Sequence, residues 1–298
     1  MYVAKNTESL PTRRRGTRRL RQGLLLTAAI AAAGTLVTAP AYAIPGLPDL
    51  PTGSAGIAEP APPQANFAPP AVNPSEGETV GVAQPIIINF KEPVSDRATA
   101  ERAIKITSSN PAPGHFYWFG NKQVRWRPSE FWPAETDVVV EAGGSRSAFH
   151  VGEALIATAD DSTKTITITR NGEVVRTMPT SMGKPGHETP NGTYIVGEKR
   201  REMVMDSSTY GVPIDDPEGY KLDVEYATRI SNSGIFVHAA PWSVAQQGVS
   251  NASHGCLNVS TDDAKWFFEN FKKGDAVVVQ NTEGGTLNYQ DGLGDWNA

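Results

Sequence analysis

Short runs of apolar and β-branched residues recur from residue 74 onward, at spacings that predict strands rather than helices. The first set of runs lies at 86–90, 103–107, 116–119, 123–127 and 137–141. Gly120, Asn121 and Lys122 separate the third run from the fourth in the manner of a hairpin turn. Regularly spaced short strands of this kind predict a small β-sandwich over 74–151.

Aromatic side chains are concentrated on this predicted hairpin, and they allow two interpretations. Phe116, Trp118 and Trp126 fall on one face if the strands alternate regularly. We favour a role in filling the core of a small domain, although a row of aromatic rings also suits carbohydrate stacking. Because no catalytic group accompanies these rings, we interpret the module as a scaffold that holds the next domain away from the membrane.

A second strand-rich region runs from 152 to 280. Its predicted strands lie at 154–158, 163–169, 173–178, 193–197 and 277–279. Asn171-Gly172, between the second and third of these strands, suits a tight hairpin turn with positive φ. The stretch 200–229 has few strand signals and is rich in Tyr, Ser, Gly and Asp, so we predict a mobile loop over a site.

One helix is predicted, over 258–271. Thr261 is its expected N-cap, Asp262 and Asp263 stand in its first turn, and Lys272-Lys273-Gly274 ends it. The predicted fold class is therefore mainly β. A β-sandwich is followed by a β-rich domain with one or two short helices, and a tail occupies 281–298.

The N-terminal residues have the three-part pattern of a secretory signal. Seven basic side chains precede an apolar stretch at 23–37, which leads to the small-residue site Ala41-Tyr42-Ala43. We predict export and cleavage after residue 43. The alternative is an uncleaved segment that anchors the protein in the membrane, although the apolar stretch is shorter than the roughly 20 residues that span a bilayer.

The mature chain that this signal implies begins with a spacer and has an acidic composition. Residues 44–73 alternate proline with Gly, Ala and Ser, which predicts an extended linker without a core. The formal net charge of the full chain is −5, and loss of the basic signal makes it more negative. An acidic surface argues against nucleic acid as a partner.

The chain contains one cysteine, Cys256, in the run Ser253-His254-Gly255-Cys256-Leu257-Asn258. A single cysteine is often only a small buried hydrophobe. An unpaired thiol in an exported protein is nevertheless a liability unless it is used. Because His238 precedes it in an apolar segment, a thiol nucleophile with a histidine base is the leading hypothesis.

The predicted position of Cys256, on a turn just before the helix, suits acyl transfer. Backbone N–H groups near a helix N-terminus are unpaired, so those of Gly255 and Cys256 are expected to bind a developing oxyanion. The helix dipole and a nearby imidazolium are expected to lower the pKa of the thiol.

These motifs carry a resemblance to a known family. Val237-His238 and Ser253-His254-Gly255-Cys256-Leu257-Asn258 resemble the signature of the L,D-transpeptidase catalytic domain of the YkuD type, and the likeness extends over roughly 154–280. Thr189-Pro190-Asn191-Gly192-Thr193-Tyr194 is also typical of that family. The order of signal, spacer, one immunoglobulin-like module, catalytic domain and Gly/Trp-containing tail is similar to the mycobacterial members. The resemblance thus implies an actinobacterial enzyme of the cell envelope.

The resemblance implies a cysteine-dependent acyltransferase that needs neither a cofactor nor a metal. Cys256 would attack the carbonyl that follows the L-centre of diaminopimelate in a peptidoglycan tetrapeptide stem, expel D-alanine and form a thioester. His238 would deprotonate the thiol and later the amine of an acceptor diaminopimelate. β-Lactams of the carbapenem type would acylate Cys256 covalently.

The resemblance also implies positions around the nucleophile. Backbone groups of His254, Gly255 and Cys256 would form the oxyanion site. The donor pocket with its lid and wall would include Tyr220, Ser233, Gly234, Asn258, Met205, Tyr210 and Trp242. Relatives often have serine directly after the catalytic histidine, where this chain has Ala239. We expect the backbone carbonyl of Ala239 to orient the imidazole, so that the missing hydroxyl is not required.

Other interpretations remain open from the sequence. A carboxypeptidase with water as the acceptor shares every residue named above, whereas a non-catalytic wall-binding protein has no need of Cys256. A zinc site made of His238, His254 and Cys256 has suitable ligand types, but the spacing of the last two fits no common zinc motif. The remaining histidines have no partner in sequence and are predicted at the surface or in turns: His115, His150 and His187.

Overall fold

Eight strands in the first half of the described chain pair into two four-stranded sheets. The computed structural model describes residues 64–298, except the side chain of Tyr210; the predicted signal and the spacer up to residue 63 lie outside the described residues. The strands are β1 (Ala71–Asn73), β2 (Thr79–Val80), β3 (Ile86–Asn89), β4 (Ile104–Ser108), β5 (Gly114–Phe119), β6 (Gln123–Pro128), β7 (Thr136–Ala142) and β8 (Ser145–Val151), with a short helix α1 (Arg97–Arg102) before β4. The strand orders are β1-β3-β6-β5 and β2-β8-β7-β4.

The two sheets enclose an apolar core that includes the aromatic face of the predicted hairpin. Trp126 is buried in this core, and Phe116 and Trp118 pack against it. The core interpretation of these rings is therefore confirmed. The spacer, in contrast, was predicted to extend too far, because β1 pairs with β3 and Phe67 packs against Phe90 at 4.8 Å. A three-residue strand among prolines gives too short a pattern to be recognised.

Within the described residues, nine further strands and one α-helix form the second domain. They are β9 (Leu155–Asp160), β10 (Thr165–Arg170), β11 (Glu173–Pro179), β12 (Gly192–Ile195), β13 (Lys199–Asp206), β14 (Lys221–Arg229), β15 (Phe236–Ala239), β16 (Leu257–Val259), α2 (Thr261–Asn270) and β17 (Ala276–Gln280). The sheet orders are β11-β10-β9-β17-β12 and β13-β14-β15-β16. The predicted hairpin turn has φ of 51° at Asn171 and 89° at Gly172, as a turn with positive φ requires. The mainly β fold class is confirmed.

The stretch predicted as a loop over the site is largely a β-hairpin, which we call the flap (residues 199–229). β13 pairs antiparallel with β14 from Lys199↔Thr228 to Asp206↔Lys221, and residues 207–220 connect the two strands. The prediction of a loop here is wrong. Four exposed residues open β13, so no apolar alternation marks it as a strand.

The helix begins three residues later than predicted. Leu257, Asn258 and Val259 are all buried and form β16, which pairs in parallel with β15. The N-cap is Ser260, whose Oγ accepts a hydrogen bond from the backbone N–H of Asp263 at 3.1 Å. Burial and strand pairing therefore override the helical pattern at Asn258 and Val259, and Ser260 caps the helix that follows.

The C-terminal residues 281–298 contact both domains. Asp295 is fully buried and forms an ion pair with Arg125 of β6 at 2.7 Å. Asp291 accepts hydrogen bonds from the backbone N–H of Ser233 at 2.8 Å and from Ser231 Oγ at 2.9 Å. The tail thereby joins the sandwich to the loop that precedes β15.

Candidate active site

Cys256 and His238 are brought together by two neighbouring parallel strands. In the register of β15 and β16, His238 lies opposite Asn258. Cys256 lies directly before β16, at the end of the turn that leads into this strand. All three line an open cavity of about 130 Å³. The sheet therefore places a thiol and an imidazole in one cavity.

The imidazole of His238 is held in a defined orientation and tautomer. Its Nδ1 lies 2.8 Å from the carbonyl oxygen of Ala239. Because a carbonyl oxygen only accepts, Nδ1 carries the hydrogen and Nε2 of the neutral ring has a free lone pair. Burial lowers the pKa of His238 to about 4, and the hydrogen bond to Ala239 opposes this only in part. The ring is thus a neutral base at neutral pH.

Cys256 is half-buried, with its Sγ 3.7 Å from the carbonyl oxygen of Gly234. Burial raises the pKa of the thiol to about 11, although a hydrogen bond to the Phe236 backbone and the charge of Arg229 act in the opposite direction. The predicted lowering of this pKa is wrong. The reason is structural: β16 separates Cys256 from α2, so the thiol does not lie at the helix N-terminus.

Ser253 fixes the shape of the turn that carries the thiol. Its Oγ donates to the carbonyl oxygen of Cys256 at 2.6 Å and accepts from the backbone N–H of Gly255 at 3.0 Å. The Gly255 amide, which was expected to be open for an oxyanion, is therefore engaged in this geometry. Gly255 has a φ of 116°, a region that favours glycine.

Thr189, from the predicted Thr-Pro-Asn-Gly motif, supports the same turn from the other side. Its Oγ1 donates to the carbonyl oxygen of Gly255 at 2.8 Å and accepts from the backbone N–H of Gly183 at 3.0 Å. Thr189 is 1% exposed, so these contacts are shielded from water. The motif thus has a direct contact with the turn 253–256 that carries Cys256, a contact that its sequence position does not reveal.

Most of the predicted pocket residues surround the cavity. Met205, Tyr220, Trp242, His254 and Asn258 line it. Gly234 reaches Cys256 through its carbonyl oxygen, whereas Ser233 is not among the lining residues and is held by Asp291 of the tail. Tyr210 ends a short 3-10 helix in the flap, and its side chain lies outside the described part.

Three lining residues were not predicted: Leu222, Ala252 and Ser253. Leu222 stands opposite Met205 in the flap hairpin. The alternation of Leu222, Val224 and Tyr226 along β14 is a strand signal from which this position can be found. Ser253 belongs to the quoted motif, but only its hydrogen bonds reveal its part in the turn.

Two histidines and a glutamate meet at the rim of the cavity. His254 Nε2 lies 2.9 Å from Glu218 Oε2, and His187 Nε2 lies 3.6 Å from the same oxygen. His187, predicted at the surface or in a turn, lies in a partly exposed bend and has a carboxylate and an imidazole as neighbours in the folded chain. Among residues 64–298, these three side chains form the group that could hold a metal ion, and the trio of His238, His254 and Cys256 does not.

Family models match both domains of the chain. A bacterial Ig domain matches residues 61–144, and the L,D-transpeptidase catalytic domain (YkuD) matches residues 155–279. L,D-transpeptidase 2 of Mycobacterium tuberculosis is 53% identical over 247 residues, which cover 78% of this chain and 60% of that protein. L,D-transpeptidase 1 of the same species is 46% identical over 209 residues, which cover 70% of this chain and 83% of that protein. The chain thus spans about three fifths of the first relative and most of the second.

Solved structures of L,D-transpeptidases are also similar to this chain. The structure of LD transpeptidase LdtMt1 in complex with imipenem has a TM-score of 0.69 and 45% identity, with 72% of this chain and 100% of that chain covered. L,D-transpeptidase 3 from M. tuberculosis with a faropenem-derived adduct has a TM-score of 0.67 and 39% identity, with 72% and 99% covered. With its Ig domain, its YkuD domain and these relatives, the chain belongs to the L,D-transpeptidase family.

Proposed function

We propose that the protein cross-links peptidoglycan by L,D-transpeptidation through a thioester on Cys256. The observation that carries this proposal is the shared cavity of Cys256 and His238, with Nδ1–H of His238 fixed on the Ala239 carbonyl at 2.8 Å. A neutral imidazole with a free Nε2 is the form that can accept a proton from a thiol. The donor is a tetrapeptide stem, and the acceptor is the side-chain amine of diaminopimelate in a second stem.

The reaction begins when His238 Nε2 takes the proton of Cys256 Sγ as the sulfur attacks the donor carbonyl. The tetrahedral oxyanion is stabilised by backbone N–H groups of the turn 254–256. For the Gly255 amide to contribute, it must exchange its hydrogen bond with Ser253 Oγ for one with the oxyanion. The imidazolium of His238 then protonates the leaving amine, so D-alanine departs and the thioester remains.

The second half-reaction releases the product. The acceptor amine attacks the thioester carbonyl while His238 removes its proton, and the Cys256 thiol is regenerated with a diaminopimelate-to-diaminopimelate link formed. Met205, Tyr220, Trp242 and Asn258 are proposed to contact the donor stem, because they line the cavity around the thiol. If water replaces the amine, the same residues produce a carboxypeptidase.

The flap is proposed to move when substrate binds. The cavity measures about 130 Å³. Pockets for drug-sized ligands are typically about 300–1,000 Å³, so we expect a peptide stem to extend beyond this open cavity and to displace part of its lining. Met205, Tyr220 and Leu222 belong to the flap, which is joined to the domain mainly through β14 and β15. The flap is therefore the part of the lining that we expect to shift.

The protein is proposed to act outside the cytoplasmic membrane, in the cell wall. Basic residues before an apolar stretch and the site Ala41-Tyr42-Ala43 support export with cleavage after residue 43. In residues 64–298, no helix has the length and apolar character needed to cross a bilayer. The alternative is an uncleaved N-terminal segment that anchors the protein in the membrane. New cross-links in the wall would contribute to wall biogenesis and cell shape.

A mass-spectrometric assay with a disaccharide-tetrapeptide tests the activity, with wild type compared to Cys256→Ala. A cross-linked dimer formed with loss of D-alanine, in wild type alone, supports the proposal. Tripeptide without dimer indicates the carboxypeptidase. Absence of any thiol-dependent change indicates the wall-binding alternative. Intact mass after treatment with imipenem provides a second readout, because covalent acylation of Cys256 is expected in wild type and not in the variant.

A further inference from the structure

His187, Glu218 and His254 reach one point from three different segments of the second domain. His187 follows β11, Glu218 belongs to the connection 207–220 of the flap, and His254 lies on the turn 253–256 that carries Cys256. The two imidazole rings are 4.6 Å apart between centroids and in a T-shaped arrangement, with Glu218 Oε2 within 3.6 Å of both Nε2 atoms. The three side chains are 33%, 46% and 23% exposed, so an ion and a water molecule can reach them.

We propose that these three side chains bind a divalent transition-metal ion of the zinc type. Two imidazoles and one carboxylate are a frequent ligand set for zinc with an open fourth position. Metal–ligand distances of about 2.0–2.2 Å at a tetrahedral angle place neighbouring ligand atoms about 3.4 Å apart. The observed separations from Glu218 Oε2 are 2.9 and 3.6 Å, and all three ligand atoms lie within 4.8 Å of one another.

Lys184 is the competitor for this site. Its Nζ lies 2.5 Å from Glu218 Oε2, the same oxygen that faces both histidines. A metal ion and an ammonium group repel each other, so the ion binds only if Lys184 moves away from the carboxylate. Lys184 is 30% exposed and has a flexible stem, which allows that displacement. Removal of the ammonium group should therefore strengthen metal binding.

A bound ion would connect the flap to the turn 253–256 that carries Cys256. Glu218 is two residues before Tyr220, which lines the cavity, and His254 is two residues before Cys256. Both segments line the cavity, whose lining we expect to shift when a ligand binds, so a link between them opposes that shift. The ion is thus a reversible inhibitor of acylation. This consequence rests on the proposed function, whereas the binding itself does not.

Calorimetric titration of Zn²⁺ into the Cys256→Ala protein tests the site without interference from the thiol. One ion per chain is expected. Adding His187→Ala or Glu218→Gln to this protein should weaken its affinity for Zn²⁺ at least tenfold, whereas adding Lys184→Gln should strengthen it. Misfolding cannot produce the last result. The proposal would be overturned if the Cys256→Ala protein without a second substitution bound no Zn²⁺. It would also be overturned if the affinity for Zn²⁺ were the same with and without His187→Ala.

The inhibitory consequence is tested by the rate of Cys256 acylation by imipenem, followed by intact mass with and without Zn²⁺. His187 does not line the cavity, so His187→Ala provides the matched control. Zn²⁺ should slow acylation of wild type, a chelator should restore the rate, and the variant should be less sensitive. Equal inhibition of both proteins would mean that the ion acts on the thiol itself, and the link between flap and turn would be rejected. A protein with no acylation at all would instead refute the proposed function.

Discussion

The protonation states of Cys256 and His238 determine how the site can begin its reaction. Burial raises the pKa of the thiol to about 11 and lowers that of the imidazole to about 4. At neutral pH both groups are therefore uncharged, and a stable thiolate–imidazolium pair is not expected before substrate binds. The nucleophile is instead formed by proton transfer during attack, when His238 acts as a general base.

This ground state predicts a specific pH dependence for acylation by a carbapenem. As pH falls through about 4, His238 Nε2 becomes protonated and the base is lost. The rate should therefore remain nearly constant from about pH 8 down to about pH 5 and decline with a midpoint near the His238 pKa. Stopped-flow absorbance measures the rate, and circular dichroism at each pH checks that the protein remains folded. A midpoint near 6.5 would instead indicate an unperturbed imidazole.

Ser253 is the second residue on which the nucleophile's position depends. Ser253→Ala removes the hydrogen bonds to the Gly255 amide and the Cys256 carbonyl, so the turn loses two local constraints. At about 1 kcal/mol for each net hydrogen bond, the melting temperature should fall by a few degrees. The acylation rate should fall about tenfold, because Cys256 is no longer held in position for attack. The matched control is Ser250→Ala, an exposed position of the same loop that should retain the wild-type rate. Equal rates for the two variants would show that the turn holds its shape without Ser253.

At the scale of elements, α2 provides a test of the revised helix start. Ser260 Oγ accepts from the Asp263 backbone N–H at 3.1 Å and donates to Asp263 Oδ2 at 2.7 Å. Ser260→Ala should lower the free energy of unfolding by about 0.5–2 kcal/mol, the usual effect of losing an N-cap. Thr261→Ala should change it by less than about 0.5 kcal/mol, because Thr261 is the first helical residue and not the cap. Chemical denaturation of both variants measures the difference in unfolding free energy. A larger loss for Thr261→Ala than for Ser260→Ala would identify Thr261 as the cap, as the sequence predicted.

How far each element could be predicted depended on whether its pattern was local. β10 alternates in burial along most of its length, and the Asn171-Gly172 turn that joins it to β11 has known backbone requirements, so the sequence was sufficient for this hairpin. β16 is only three residues long and is defined by its pairing with β15, so Asn258 and Val259 were assigned to the helix. The thiol's pKa was misjudged for the same reason. Hydrogen-bonding contacts such as Thr189 to Gly255 join distant segments and have no sequence signal.

For the whole molecule, the sandwich is more than a spacer because the second domain docks on it. The backbone N–H groups of Gly81 and Ala83 donate to the carbonyls of Lys273 and Gly274 at 2.9 and 2.8 Å. Lys273 Nζ also donates to Glu78 Oε1 at 2.8 Å. The turn Lys272-Lys273-Gly274 was predicted only to end the helix, yet it makes these contacts between domains. Backbone contacts of this kind are independent of side-chain type, which is why the sequence did not reveal them.

The buried ion pair between Arg125 and Asp295 makes the tail a test of this docking. Asp295 is fully buried and accepts hydrogen bonds from Arg125 at 2.7 Å and from Tyr117 OH at 2.6 Å. Asp295→Ala leaves the guanidinium buried without its partner, so stability should fall by about 3–5 kcal/mol. Arg146→Ala, which removes an exposed pair with Glu76, should change it by no more than about 1 kcal/mol. Differential scanning calorimetry of the two variants makes the comparison. If both variants changed stability by the same small amount, the contact of the tail with Arg125 would not contribute to stability. Docking of the two domains would then depend on the backbone contacts alone.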